Sequence, residues 1–326
     1  MKKIVITQTV FILVVAGLLA VFLYAKRPVD ETYIVAPITA TSSLAGTAAN
    51  GLSLINPTVT AGIGKHFIIN FKPLEDQFKG IQTGYPQKTY IYFAYLNNAA
   101  WIGSGEDQMF TAASTIKVPL AMSIMKMVEE GKLSLSQGYT LDQLDLDKHF
   151  GDLYKIGANK TLTLQQLLQI MLENSDNTAM NALDKAAMLS GVDDPFADVY
   201  DSMGWGGTNF DDKPTYNKIN LKTLSNMFIA LYNAKYDNAQ DSQLILDYLD
   251  NSTFKDQIPA GVPNGVSVAD KFGVNAGDKT FSDCGIVYAP NRNFLLCLGS
   301  VGADQKAANS FMAEISKAAY DYVVKN

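Results

Sequence analysis

Residues 266–300 read VSVADKFGVNAGDKTFSDCGIVYAPNRNFLLCLGS. Three apolar runs, 266–272, 282–288 and 293–300, are separated by clusters of Gly, Asn, Asp and Pro, the pattern of consecutive antiparallel strands joined by turns. Working outward, the last run leads into a predicted helix over 304–324 that places Ala307, Phe311, Ile315, Ala318 and Tyr322 on one apolar face. At the other end of the body, a helix predicted over 72–81, with Pro73 near its start, is followed by TYIYFAYL at 89–96 and a second strand over 99–104, turned by Asn97-Asn98. The stretch between these two groups is helical in pattern. One helical region begins near Ser114 and runs to Gly131. Another opens with the capping box Thr163-Leu164-Gln165-Gln166, with Leu164, Leu167, Leu168 and Met171 at helical spacing. Further helices fit 178–189, 221–233 and 242–249. Strands at both ends that must bury a face together predict an α+β fold: one antiparallel sheet covered by the N- and C-terminal helices, plus an all-helical domain. The cleft between the two is where a site is expected.

Composition narrows the chemistry. The 326 residues are 48% hydrophobic, 10% aromatic and 18% charged, with a net charge of −6, so a globular body with no electrostatic footprint for nucleic acid is expected. The two histidines, His66 and His149, and the two cysteines, Cys284 and Cys297, form no CxxC, HExxH or Cys₂His₂ spacing. A metal site is therefore not expected, and no cofactor is implied. A Ser-His-Asp triad could draw its base only from those two histidines, so a nucleophilic serine would have to rely on lysine.

The first 65 residues read differently from the rest. Residues 4–25 lie between Lys3 and Lys26 with only Thr7, Gln8 and Thr9 as strongly polar members. As a helix they would reach about 33 Å, enough for a bilayer core. The competing reading is a cleavable signal peptide, but a cut after Ala25 would put Leu23 where a small residue is required. The expectation is a single-pass membrane anchor over 1–27 with the body extracytoplasmic. Residues 32–64 carry no charge and are rich in Thr, Ser, Ala and Gly, which predicts a flexible spacer over 28–65. An extra strand near 33–35 or 52–55 is the alternative. The folded domain is then 66–326.

Three short motifs carry the chemistry. Ser114-Thr115-Ile116-Lys117 is an S-x-x-K sequence opening an apolar helix, which puts hydroxyl and amine on one face. An amine in a desolvated cleft can lose its proton and act as a base. Pro119 opposes a clean helix starting at Ser114, because it lacks the N–H that would reach back to Thr115. Ser175-Asp176-Asn177 interrupts two helical stretches, and Lys271-Phe272-Gly273 lies on a strand. Alone, each reads as a helix cap, a loop cap and noise; in this order, on helix, loop and strand, they form a set.

With Ala113-Ser114-Thr115-Ile116-Lys117-Val118, Asn174-Ser175-Asp176-Asn177-Thr178-Ala179 and Asp270-Lys271-x-Gly273, the chain from 67 to 324 resembles the serine β-lactamase and penicillin-binding protein superfamily, in particular its class A β-lactamase-like domain. The resemblance implies Ser114 as nucleophile, Lys117 as its base partner, and Ser175 as proton relay to the leaving nitrogen, assisted by Lys271. Asn177 would hold Lys117 and the substrate amide. The backbone N–H groups of Ser114 and Val274 would form the oxyanion hole, with Gly273 and position 272 beside the substrate. Phe150 is either the aromatic that walls such sites or a core side chain, and the burial preference of Phe favours the core. A β-lactam or a D-Ala-D-Ala-like peptidoglycan stem peptide is the implied partner.

Three departures stand beside the matches. Class A members carry a glutamate on a loop after the Ser-Asp-Asn helices to activate the deacylating water; between Met203 and Leu221 this chain has only Asp211 and Asp212. The Thr or Ser that follows the strand lysine is Phe272 here. The only arginines are Arg27 and Arg292, so no arginine is placed to clamp a carboxylate. These departures predict a penicillin-binding, membrane-anchored enzyme that is slow to shed its acyl group. The alternatives are a class A-type β-lactamase that hydrolyses β-lactams, or a non-catalytic cell-wall-binding relative. Cys284 and Cys297 lie on adjacent strands, where either a cross-strand disulfide or two core thiols would fit, and the general burial of cysteine favours thiols.

Overall fold

A computed structural model describes residues 53–56, 69–203 and 218–326, which belong to one unit spanning Gly46–Asn326. In chain order, α1 (Lys72–Thr83) leads into β1 (Lys88–Tyr95), β2 (Ala100–Ser104) and a short β3 (Phe110–Thr111). A 3₁₀ turn, Ala113–Ile116, then opens α2 (Lys117–Glu129). The helical region continues through β4 (Gly138–Thr140), β5 (Thr161–Thr163), α3 (Leu164–Glu173), α4 (Asn177–Leu189) and α5 (Ala197–Ser202). After β6 (Lys218–Ile219) come α6 (Leu221–Tyr232) and α7 (Ala239–Asp250). The chain closes with β7 (Val268–Asn275), β8 (Thr280–Val287), β9 (Phe294–Val301) and α8 (Gln305–Lys325).

The five long strands form one antiparallel sheet in the order β2-β1-β9-β8-β7, as strands from both ends of the chain required. Alternation divides its side chains between two cores. Ile91, Phe93, Tyr95, Phe281, Val287, Leu296 and Leu298 pack under α1 and α8 with Leu74, Phe78, Phe311 and Ile315. Tyr92, Ala94, Ala269, Cys284, Ile286, Leu295 and Cys297 share the other core with the helical region. The helical region also carries two small ribbons, β3 with β6 and β4 with β5, which were too short to register as strand patterns. The Thr163 capping box forms as expected, with Thr163 accepting from Gln166 N and Gln166 reaching back to Thr163 N.

Several expectations are corrected here. The expected membrane segment, 4–25, lies outside the described residues, and among the described residues no helix is long and apolar enough to cross a membrane. The membrane-anchored expectation thus finds no support among the described residues, and the site described below belongs to the folded body. Part of the expected spacer is held on that body. Leu54 N donates to Gln243 Oε1 (2.9 Å), Asn56 N to Tyr232 O (2.7 Å) and Tyr288 Oη to Leu54 O (2.9 Å), while Leu54 and Ile55 are buried. These residues form no strand; two apolar side chains and these hydrogen bonds, with a further one from Asn56 Nδ2 to Asn233 Oδ1 (2.7 Å), fix them instead. Cys284 and Cys297 stand directly opposite each other across β8 and β9 and are joined as a disulfide, so the core-thiol expectation is replaced. Register, which sequence could not supply, decides that pairing.

Candidate functional site

Ser114 sits on the 3₁₀ turn rather than inside a helix. Its predecessor Ala113 is held at φ +48°, and Thr115 ties the turn by giving both its N–H (3.1 Å) and its hydroxyl (2.6 Å) to Ala112 O. Because α2 begins only at Lys117, Pro119 falls in its first turn, where a missing N–H costs nothing. The objection that Pro119 raised against a helix from Ser114 is thereby resolved. The amine of Lys117 reaches back 2.9 Å to Ser114 Oγ and 2.8 Å to Asn177 Oδ1.

Asn177 is the first residue of α4, and its neighbour Asp176 caps that helix. Asp176 Oδ1 accepts from Ala179 N (2.9 Å) and Oδ2 from Leu153 N (2.8 Å), tying the Ser-Asp-Asn loop to the segment after Phe150. Asn177 N donates to Phe150 O (3.0 Å), and Asn177 Nδ2 to Asp147 Oδ1 (3.3 Å). Ser175 is held at φ +56°. Its hydroxyl is buried and finds no hydrogen-bond partner among the described residues. Left-handed backbone at non-glycine residues is costly, and its occurrence just before Ser114 and at Ser175 marks positions held by their surroundings.

Lys271 and Gly273 lie on β7, the sheet strand that passes the Ser114 turn. A side chain at Gly273 would meet Ala112 O at 2.9 Å and Thr115 Cγ2 at 3.0 Å, so only glycine lets the strand backbone come this close. Lys271 is fully buried on the same face as the disulfide, directly opposite Cys284 in register. Its ammonium lies 3.4 Å from Phe272 O and 5.6 Å from the centre of the Phe254 ring. Phe272 and Val274 point the other way, toward the core under α1 and α8. The side chain of Phe272 is thus not brought into the cleft with Lys271.

Phe150 was expected in the core. It is half-buried instead, and its ring meets Phe254 at 5.7 Å between centroids.

Both lysines are shifted by their surroundings. Burial, followed by the charge of Lys271, lowers Lys117 to about 7, against the opposing pull of Asp176 and Asp147. Burial lowers Lys271 to about 8, opposed by Asp270 and Asp283 on the reverse face of the sheet. A neutral amine 2.9 Å from a hydroxyl is a base positioned to take its proton.

Asp147 and Phe254 escaped sequence reading. Both lie in irregular segments with no periodic signal, and only the fold brings them here. Asp147 also accepts from His149, through His149 N at 2.7 Å and Nδ1 at 3.2 Å. His149 is thereby tied to Asp147. His66, Asp211 and Asp212 lie outside the described residues.

An antiparallel sheet backed by two helices, with a Ser-x-x-Lys turn lodged between it and a helical region, defines the β-lactamase-like class of folds. The chain belongs to the beta-lactamase enzyme family, which it matches over residues 73–323. Among curated relatives it is 31% identical to β-lactamase CTX-M-25 of Escherichia coli over 57% of this chain and 66% of that protein. It is 26% identical to the extended-spectrum β-lactamase PER-1 of Pseudomonas aeruginosa over 67% and 77%. The chain therefore spans just under two thirds of the length of the curated relatives that it matches first. Solved structures agree in fold. One titled as the structure of PBP-A superposes with a TM-score of 0.70 at 22% identity, over 78% of this chain and 97% of that one. A β-lactamase from Sphaerobacter thermophilus does so with 0.69 at 21%, over 79% and 99%. The curated proteins matched are β-lactamases, which favours the β-lactamase alternative over the expectation of an enzyme slow to shed its acyl group.

Proposed function

We propose that this protein is a serine hydrolase that acts on β-lactams or related peptide substrates through an acyl-Ser114 intermediate, with β-lactam hydrolysis the favoured activity. The observation that carries the reading is the Ser114–Lys117–Asn177 chain of hydrogen bonds, in which a buried lysine faces a serine hydroxyl. Neutral Lys117 takes the Ser114 proton as Oγ attacks the substrate carbonyl. The backbone N–H groups of Ser114 and Val274 receive the developing oxyanion where Gly273 lets the strand approach. Collapse breaks the carbonyl–nitrogen bond, Ser175 gives the leaving nitrogen its proton, and the proton that Lys117 took from Ser114 replaces it on Ser175, which leaves Lys117 neutral again. A water then attacks the acyl carbon, neutral Lys117 takes its proton, and the acyl carbon–Oγ bond breaks as Lys117 returns that proton to Ser114 Oγ. The family match and the names of the curated relatives support hydrolysis over permanent acylation.

The test is steady-state hydrolysis of a chromogenic cephalosporin by wild type and Ser114→Ala. Wild type should turn over repeatedly and the variant should lose at least about 10³-fold in kcat/KM, the scale of removing a nucleophile. Equal rates in the two proteins would sink the reading.

A further inference from the structure

We propose that Asp147 is a positioning residue for this site: by accepting from the Asn177 side-chain amide it fixes which end of that amide faces Lys117, and so keeps the Lys117 lone pair free for Ser114. The inference rests on the acyl-transfer reading above and adds to it a residue that acts through Asn177.

The two ends of an Asn side chain are alike in shape and opposite in hydrogen bonding, an oxygen that accepts and an NH₂ that donates. Asn177 Oδ1 accepts from Lys117 Nζ at 2.8 Å, and Nδ2 gives a hydrogen to Asp147 Oδ1 at 3.3 Å. An ionised carboxylate only accepts, so Asp147 admits the NH₂ end and repels the oxygen. Burial draws the Asp147 carboxyl upward, but the N–H and ring of His149, then the Asn177 amide, outweigh it and hold the carboxyl below its usual value. It is therefore ionised wherever Lys117 works. Its own place is fixed by α4. Asp147 N donates to Thr178 Oγ1 at 2.9 Å, that hydroxyl donates to Asp147 O at 3.3 Å, and Thr178 is fully buried next to Asn177 in the chain.

The orientation matters because a neutral lysine amine has a single lone pair beside its N–H donors. With Asn177 Oδ1 accepting an N–H, the lone pair is left to take the Ser114 proton across 2.9 Å. With the amide turned over, Nδ2 would donate to that lone pair and occupy the base. Asp147 also acts on Lys117 as a charge. Lys117 is buried, and the charged groups that act on it are Lys271 on β7, which lowers it, and Asp176 and Asp147 on the helical side, which raise it. His149 is the titratable side chain in contact with Asp147. Loss of the Asp147 charge therefore moves Lys117 downward.

The experiment uses the full chain and a chromogenic cephalosporin, with the Ser114→Ala rate subtracted. Asp147→Asn is close in size and still offers an oxygen, but its own NH₂ lets the Asn177 amide turn over. This variant, shown to be folded by its melting curve, should lose about tenfold or more in kcat/KM at the top of its pH profile. The rising limb of that profile should move below its wild-type position near 7. Asn177→Ala alone should lose at least as much. Adding Asp147→Asn to it should cost no more than about twofold further, because the group through which Asp147 acts is already gone. Wild-type kcat/KM in Asp147→Asn, a loss with the rising limb unmoved, or losses that multiply in full in the double variant would overturn the role while leaving Ser114 catalysis standing. A wild type without Ser114-dependent turnover would remove the acyl-transfer reading and this role with it.

Discussion

In the proposed cycle the charge state of Lys117 sets the rate. Burial and the neighbouring Lys271 hold it near 7, so its amine becomes a competent base as pH rises through 7. Lys271, near 8, loses its charge just above. If both states are needed, kcat/KM follows a bell with its rising limb near 7 and falling limb near 8. Asn177→Asp would set a carboxylate on the Lys117 amine and should move the rising limb up by about one unit or more. A stopped-flow acylation profile that is flat from pH 5 to 9, or unmoved by that substitution, would contradict this role. At this scale sequence was informative about types and poor about directions. Ser114, Lys117, Ser175, Asn177 and Lys271 were legible from three motifs. That Phe272 turns to the core under α1 and α8 while Phe254 meets Phe150 and the Lys271 ammonium depends on strand alternation and on a loop path that no local pattern encodes.

Helix caps do the positioning at the level of elements. Asp176 both starts α4 and fastens the segment after Phe150, and Gly151 makes room for it. Gly151 has φ +87°, and a Cβ there would fall 2.0 Å from Asp176 Oδ2. Gly151→Ala therefore combines left-handed strain with loss of a cap, a cost of about 2–3 kcal/mol. Gly157→Ala is the control, because its φ of +78° is similar but nothing lies within 4 Å, leaving only strain of about 1 kcal/mol. Urea unfolding should rank them in that order, and Gly151→Ala should also lose activity as Asn177 shifts. Equal losses would show that the packing of Gly151 against Asp176 is unimportant. The elements were mostly readable beforehand because periodicity and caps are local. The start of α2 was not: its register depends on a turn fixed by Thr115 and by the strand that packs against it.

For the whole molecule, the terminal strands had to pair with one another, and that requirement made the sheet predictable, whereas register and the docking of residues 53–56 depend on contacts between distant segments. The pH dependence of stability is likewise a property of packing. Asp237 is 2% exposed, and burial, with Glu129 and Asp241 nearby, raises its carboxyl from 3.8 to about 8. In the folded state it holds its proton where the unfolded chain releases it. The neutral form is accommodated fully below about 4, and stability falls as pH rises from there to about 8. Asp237→Asn should remove that slope, gaining on wild type by an amount on the order of a few kcal/mol at pH 8 and little at pH 4. Parallel stability curves for the two proteins would place the titration elsewhere. A hydrolytic cycle through Ser114 can be followed by time-resolved mass spectrometry after mixing with a penicillin. The account predicts an adduct of the intact drug's mass on the peptide containing Ser114, followed by return to the free protein mass as the hydrolysed drug accumulates. Drug hydrolysis with no adduct on Ser114 at any time, or an adduct on another residue that persists in Ser114→Ala, would contradict it.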